Sequence, residues 1–210
     1  MVNHSNTKEC IELLESNLTE AITHLSNMPY STQSSAMMGL FREAQRETHR
    51  LLTSFNDLTF SSLAVRNIFE IYLISKHISS DQKALYSWYG QSHKDSKEVR
   101  DGFIKLMEKK GLDTRELKDI QLFEDQALKQ SPFESKGSFQ VRNLAEKYGY
   151  LDDYLFIYKL SSKLIHPSSM KIMSYDILVE NSNYQSVVLQ VGAYFSNRFS
   201  SLLESVVANA

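Results

Sequence analysis

Arg66, Glu70 and His77 interrupt the most apolar stretch of the chain, Phe60 to Ile78, at spacings of four and seven residues. On a helix turning about 100° per residue, the three fall within roughly 40° of one another. A charge placed among apolar side chains is costly unless paired, so this stripe is either a structural ion pair or a site. Arg66 and Glu70 stand one turn apart and can pair within the helix. The guanidinium is a rigid fork of donors suited to a carboxylate or a phosphate.

A second concentration of polar groups follows at Tyr154 to Ser169. Tyr154, Tyr158, Ser161 and Ile165 share one helical stripe, with Ile157, Leu160 and Leu164 beside it. Pro167 disfavours the helical conformation at His166, so the helix must stop there and fix an imidazole at its end. A helix C-terminus favours the protonated ring. Ser168 and Ser169 follow as donors. If this helix packs on the first stripe, His166 can approach Arg66 or Glu70. Arg66, Glu70 and His166 are then the candidate catalytic group, able to do acid–base chemistry beside a stabilised anion. Tyr158, Ser161 and Ser168 are the candidate binding residues. The same groups would equally make a rigid polar network without chemistry.

The elements that must hold these residues read as helices. Seven glycines and three prolines in 210 residues favour long helices with short connections. The periodicity predicts helices over about 6–26, 33–56 and 59–78. A helical region from about 80 to 110 follows, with room for a break near Gly90–His93, and then a polar helix from Asp113 to about 130. Residues 131–138 read as a mobile loop. Shorter helices are expected at about 139–148 and 151–165, and a last one at about 184–207, packing through Val187, Val188, Val191, Tyr194, Phe195, Leu202 and Val206. Residues 168–183 read as irregular, with an extended stretch at 175–179. The sum is a single all-α domain, a bundle of about seven or eight helices over 1–210, with 81–130 inserted as a helical arm.

Bulk properties exclude some classes. Hydrophobic content of 42% and charged content of 23% describe an ordinary globular chain. A net charge of −2 gives no global attraction to nucleic acid or anionic membrane. One cysteine, Cys10, allows no intrachain disulfide. The six histidines lack close metal-ligand spacing, so no metal and no cofactor is implied. There is no glycine-rich phosphate loop and no nucleophile elbow. Without a signal sequence or an apolar run of roughly 18 residues, the chain reads as cytoplasmic and not membrane-bound.

Two resemblances bear on function. The Arg66-x-x-x-Glu70 pattern resembles an uncharacterised family of helical bacterial proteins, a domain of unknown function. So does the run Ala145-Glu-Lys-Tyr-Gly149, Tyr154, Tyr158, Leu160-Ser161, His166-Pro167-Ser168. This resemblance covers about 60–170 and implies a helical bundle with interest at Arg66, Glu70, Tyr158, Ser161 and His166. More distantly, Arg42 and His49 on the second helix are similar to the Arg-x(4–6)-His motif of HEPN and abortive-infection proteins. Many HEPN domains are ribonucleases working as dimers, so that resemblance implies RNA as a partner and a homodimer. The same pair also reads as a solvated helix face. Two functions are therefore expected: a binding or regulatory module of a bacterial stress or defence system that engages a partner protein or nucleotide-like ligand, or a metal-independent HEPN-like ribonuclease.

Overall fold

The computed structural model describes residues 4–133 and 140–208. Among the described residues there are nine helices and no strand. They are α1 (His4–Ser26), α2 (Thr32–Thr53), α3 (Leu58–Ser80), α4 (Gln82–Lys109), α5 (Arg115–Lys129), α6 (Val141–Lys147), α7 (Leu151–Ile165), α8 (Ser169–Glu180) and α9 (Ser182–Ala208). The all-α architecture is as the sequence predicts. The chain divides into two compact units, residues 1–79 with 141–210, and residues 80–140.

Local chemistry explains where the helices start and stop. Ser31 caps α2 through a reciprocal pair with Ser34. Asp57 Oδ1 accepts from the Thr59 and Phe60 amides at the start of α3, and Asp81 accepts from Lys83 and Ala84 at the start of α4. Gly111 and Gly149 take positive φ just past α4 and α6, a conformation that costs glycine no steric clash.

Three expectations need correction. Residues 168–183 are not irregular: Ser168 accepts from the Lys171 amide and caps a helix, α8. Pro167 ends one helix, but the serine after it begins the next, which is why the described residues form nine helices rather than seven or eight. The region 80–110 has no break at Gly90–His93; α4 runs through it. In α9 the buried face is rotated. Val187 and Tyr194 are exposed, while Gly192, Ser196 and Ser200 face inward beside Phe195 and Phe199. Most of the expected loop, residues 134–138, lies outside the described residues.

In the larger unit, α1 packs against both α2 and α9. Gln45 donates to Thr19 at 2.9 Å across the α1–α2 seam. Phe41, Phe69, Phe195 and Phe199 are wholly buried. Phe69 meets Phe195 at 4.3 Å between ring centroids, and Phe41 meets Phe199 edge-on. α3 is buried around most of its circumference, as its all-round apolarity predicts. Gly192 lets α9 approach α3 closely: a Cβ there would lie 2.8 Å from a Val65 methyl carbon.

The smaller unit is an α4–α5 hairpin of a different kind. Its seam is ionic. Arg100 grips Glu124 through two bonds of 2.7 and 2.9 Å. Lys97 and His93 both reach Asp125, at 3.0 and 3.1 Å. Gln121 donates to Asp101, and Lys118 pairs with Glu108. No α5 residue is buried. Phe133 closes one end by stacking on Tyr89 and meeting Tyr86 edge-on.

Candidate functional site

On α3, the Arg66 Nε donates to Glu70 Oε1 at 2.8 Å, and both side chains are about a quarter exposed, at 24% and 23%. The i, i+4 spacing sets this pair locally. A second helix completes the surroundings. The Arg66 guanidinium carbon lies 4.3 Å from the centre of the Tyr158 ring, a cation–π contact from α7. Tyr158 in turn stacks with Tyr154, one turn earlier, at 5.4 Å. Burial raises the Tyr154 phenol above its ordinary pKa. The Glu70 charge adds to that rise, while Arg66 and Arg142 oppose it. Arg142, from α6, is the one of these charges that comes from a third helix.

The guanidinium is therefore fixed along one edge by a carboxylate and across one face by an aromatic ring. Its two terminal nitrogens make no hydrogen bond among the described residues. Such a fork can grip an incoming carboxylate or phosphate with two parallel bonds.

The helix directions decide which other residues join. Tyr150, at the start of α7, meets Phe69 and Tyr72, while Tyr158 meets Arg66. Residue number rises on α7 as it falls on α3, so the two helices run antiparallel. His166 lies eight residues beyond Tyr158, about 12 Å further along the axis, towards the start of α3 and away from Glu70. It is exposed, and its ring makes no hydrogen bond to Arg66 or Glu70. Its backbone amide continues the helix ladder to the Ser162 carbonyl. Ser161 is wholly buried and donates to the Tyr158 carbonyl. The Ser168 hydroxyl donates to the Lys163 carbonyl while capping α8. Of the sequence-selected residues, the structure brings together Arg66, Glu70 and Tyr158.

His77 belongs to a different group. Its Nδ1 lies 3.1 Å from the Tyr148 hydroxyl and 3.3 Å from Lys147 Nζ. Beside it, Lys76 donates to the Tyr72 hydroxyl and lies 4.9 Å from the Tyr148 ring centre. The Tyr72 and Tyr150 hydroxyls are 3.4 Å apart. Burial first, and then that contact, push the Tyr150 phenol up to about 12. Sequence reasoning singled out none of Lys76, Tyr148 and Tyr150 as a site residue, though Tyr148 lies in the run Ala145-Glu-Lys-Tyr-Gly149. The one signal for them was the Tyr148-Gly149-Tyr150 triplet, where a left-handed glycine turns the chain between two helices.

Arg42 and His49 stand exposed on α2. His49 Nδ1 lies 3.2 Å from Glu15 of α1. A neighbouring acid that sequence reasoning missed is Glu47, 2% exposed and paired with Arg50, whose second carboxylate oxygen has no partner among the described residues. Also among the described residues, no group of three or more His, Cys, Asp or Glu is placed to hold a metal ion. No described helix is long and apolar enough to cross a membrane.

Neither a curated protein nor a solved structure matches the chain. A family model described as a family of unknown function, DUF5677, matches residues 61–185, from the first turn of α3 to the first turn of α9. That span is more than half of the chain and contains Arg66, Glu70, Tyr154 and Tyr158, so the protein belongs to the DUF5677 family of unknown function.

Proposed function

We propose that this protein is a helical binding and regulatory module, and that Arg66 is its ligand-gripping residue. The bacterial stress or defence setting of that reading rests on the resemblance alone. The observation that carries the binding role is the half-satisfied guanidinium: Glu70 and Tyr158 hold Arg66, and its outer N–H groups face no protein acceptor among the described residues. A preorganised fork loses little freedom on binding a flat anion. The ligand is a phosphate-bearing molecule of nucleotide size. Phosphate takes the outer fork, and Arg142 adds positive charge at long range.

Titration calorimetry with nucleoside mono-, di- and triphosphates tests this. Arg66→Lys keeps the charge but not the fork and should weaken binding by about tenfold or more. Equal affinity in wild type and in both Arg66→Lys and Arg66→Ala would remove the site.

A HEPN-like, metal-independent ribonuclease is the second reading. It draws support from His49, which a carboxylate orients at one ring nitrogen while the other is left for a substrate, on the same helix as Arg42. Incubation of the purified protein with total RNA in chelator distinguishes the two. Cleavage that disappears in His49→Ala supports the nuclease, and intact RNA supports the binding module.

A further inference from the structure

The outer face of α4 is the reverse of its ionic seam. Asp95, Val99, Gly102, Phe103, Leu106 and Lys110 fall in a band roughly 100° wide on the side opposite the residues that meet α5. All six are exposed, with Val99 at 75% and Phe103 and Leu106 at 51% each. Asp95 accepts only from Gln91 on its own helix, and neither Asp95 nor Lys110 makes an ion pair among the described residues. A Cβ on Gly102 would meet nothing within 4 Å, so nothing inside the chain requires a glycine there. It nevertheless weakens the helix by about 1 kcal/mol relative to alanine.

The band is self-complementary. The midpoint between Gly102 and Phe103 is also the midpoint of Val99 and Leu106, and of Asp95 and Lys110. A two-fold axis through that point, relating two antiparallel copies of α4, sets Asp95 against Lys110 of the other copy. It sets Val99 against Leu106, and Phe103 over Gly102, where the missing side chain admits the ring. Each pair occurs twice, as an isologous interface demands. A parallel pairing would instead oppose Asp95 to Asp95 and Lys110 to Lys110.

From this symmetry of charge and shape we propose that the outer face of α4 is a docking surface for a second copy of this chain, forming a two-fold antiparallel helix pair centred between residues 102 and 103. Three apolar side chains per copy make a small core, so the dimer belongs to the weak, concentration-dependent class. The inference is independent of the Arg66 site, since no residue is shared.

Sedimentation velocity of the full chain over a concentration series, at low salt, tests it. The wild type should pass from monomer to dimer as concentration rises. Asp95→Lys and Lys110→Asp should each weaken association by about tenfold, because each creates two like-charge contacts across the axis. The double variant D95K/K110D restores both pairs and should return to within about threefold of wild type. Phe103→Glu should be monomeric with unchanged helical content by circular dichroism. Phe123→Ser, which removes a still more exposed ring on α5, should dimerise normally. A wild type that stays monomeric at the highest concentration, single reversals that the double does not repair, or a dimer lost in Phe123→Ser would each overturn the proposal.

Discussion

Phe69 and Phe195 are wholly buried in the unit formed by residues 1–79 and 141–210, whereas Phe103 and Phe123 of the α4–α5 hairpin are 51% and 71% exposed. Charges show the opposite contrast. The hairpin turns Arg100, Glu124, Asp125 and Lys97 into its seam, while the larger unit keeps Arg66 and Glu70 at the edge of an apolar interior. One unit is held by hydrophobic burial, which electrolyte does not screen and carboxylate protonation does not remove. The other is held by partly exposed ion pairs, which are weak individually and screened by electrolyte. A helical pair can therefore be specified by polar partners without a dry core, and its apolar residues are then left for other surfaces.

The sharpest test of this contrast is phenylalanine truncation. Phe69→Ala and Phe195→Ala should each cost about 3–5 kcal/mol by urea denaturation, since each leaves a cavity. Phe123→Ala should fall within about 0.5 kcal/mol of wild type. Comparable losses at all three positions would erase the distinction. Next in size is Gly192→Ala. The new methyl meets stiff Val65 in a packed interface and should cost about 1–3 kcal/mol, which the double variant G192A/V65A should partly relieve.

Acid should act on the hairpin first. The Arg100 bond holds the Glu124 carboxyl below its ordinary pKa, and Lys97 followed by His93 does the same for Asp125. A carboxylate lowered in the folded state stabilises fully above its unfolded value and loses that contribution as pH falls through its folded one. The seam should therefore loosen below about pH 4. Trp88, the single tryptophan, lies on α4 and gives the hairpin a fluorescence signal of its own. Its fluorescence should shift before the near-ultraviolet signal of the larger unit's tyrosines, and 1 M salt should move the transition to higher pH. Coincident transitions would mean that the seam is not the weaker element.

The smallest effect concerns the candidate site. Glu70→Gln should lower stability by only about 0.3–0.5 kcal/mol, as for other partly exposed i, i+4 pairs. It should still reduce anion affinity in calorimetry, because Arg66 loses its orientation. A large stability loss with no change in affinity would make the pair structural.

Legibility in the sequence followed how local each feature is. The limits of α7 were readable because Gly149 and the His166-Pro167 step act on their own neighbours. α8 was not, because a proline with serines after it has the composition of a loop, and only the bond from the Lys171 amide to Ser168 makes that serine a helix cap. The orientation of α9 was not readable either: Val187 and Tyr194 are as apolar as the residues buried instead, and the choice turns on Gly192 admitting Val65 from a helix more than a hundred residues away. Arg66 and Glu70 were visible as a pair because one helical turn separates them.

The sequence by itself determined that this chain is helical, where most of its helices end, and that Arg66 and Glu70 pair on the most apolar of them. These depend on periodicity, proline, glycine and caps, each acting within a turn or two. Only the tertiary structure decided that Tyr158 and Tyr154 back the arginine while His166 passes beyond it. Helical period sets the direction of a side chain about its own axis. The polarity and offset of one helix against another come from packing between distant segments, here Tyr150 against Phe69 and Tyr72.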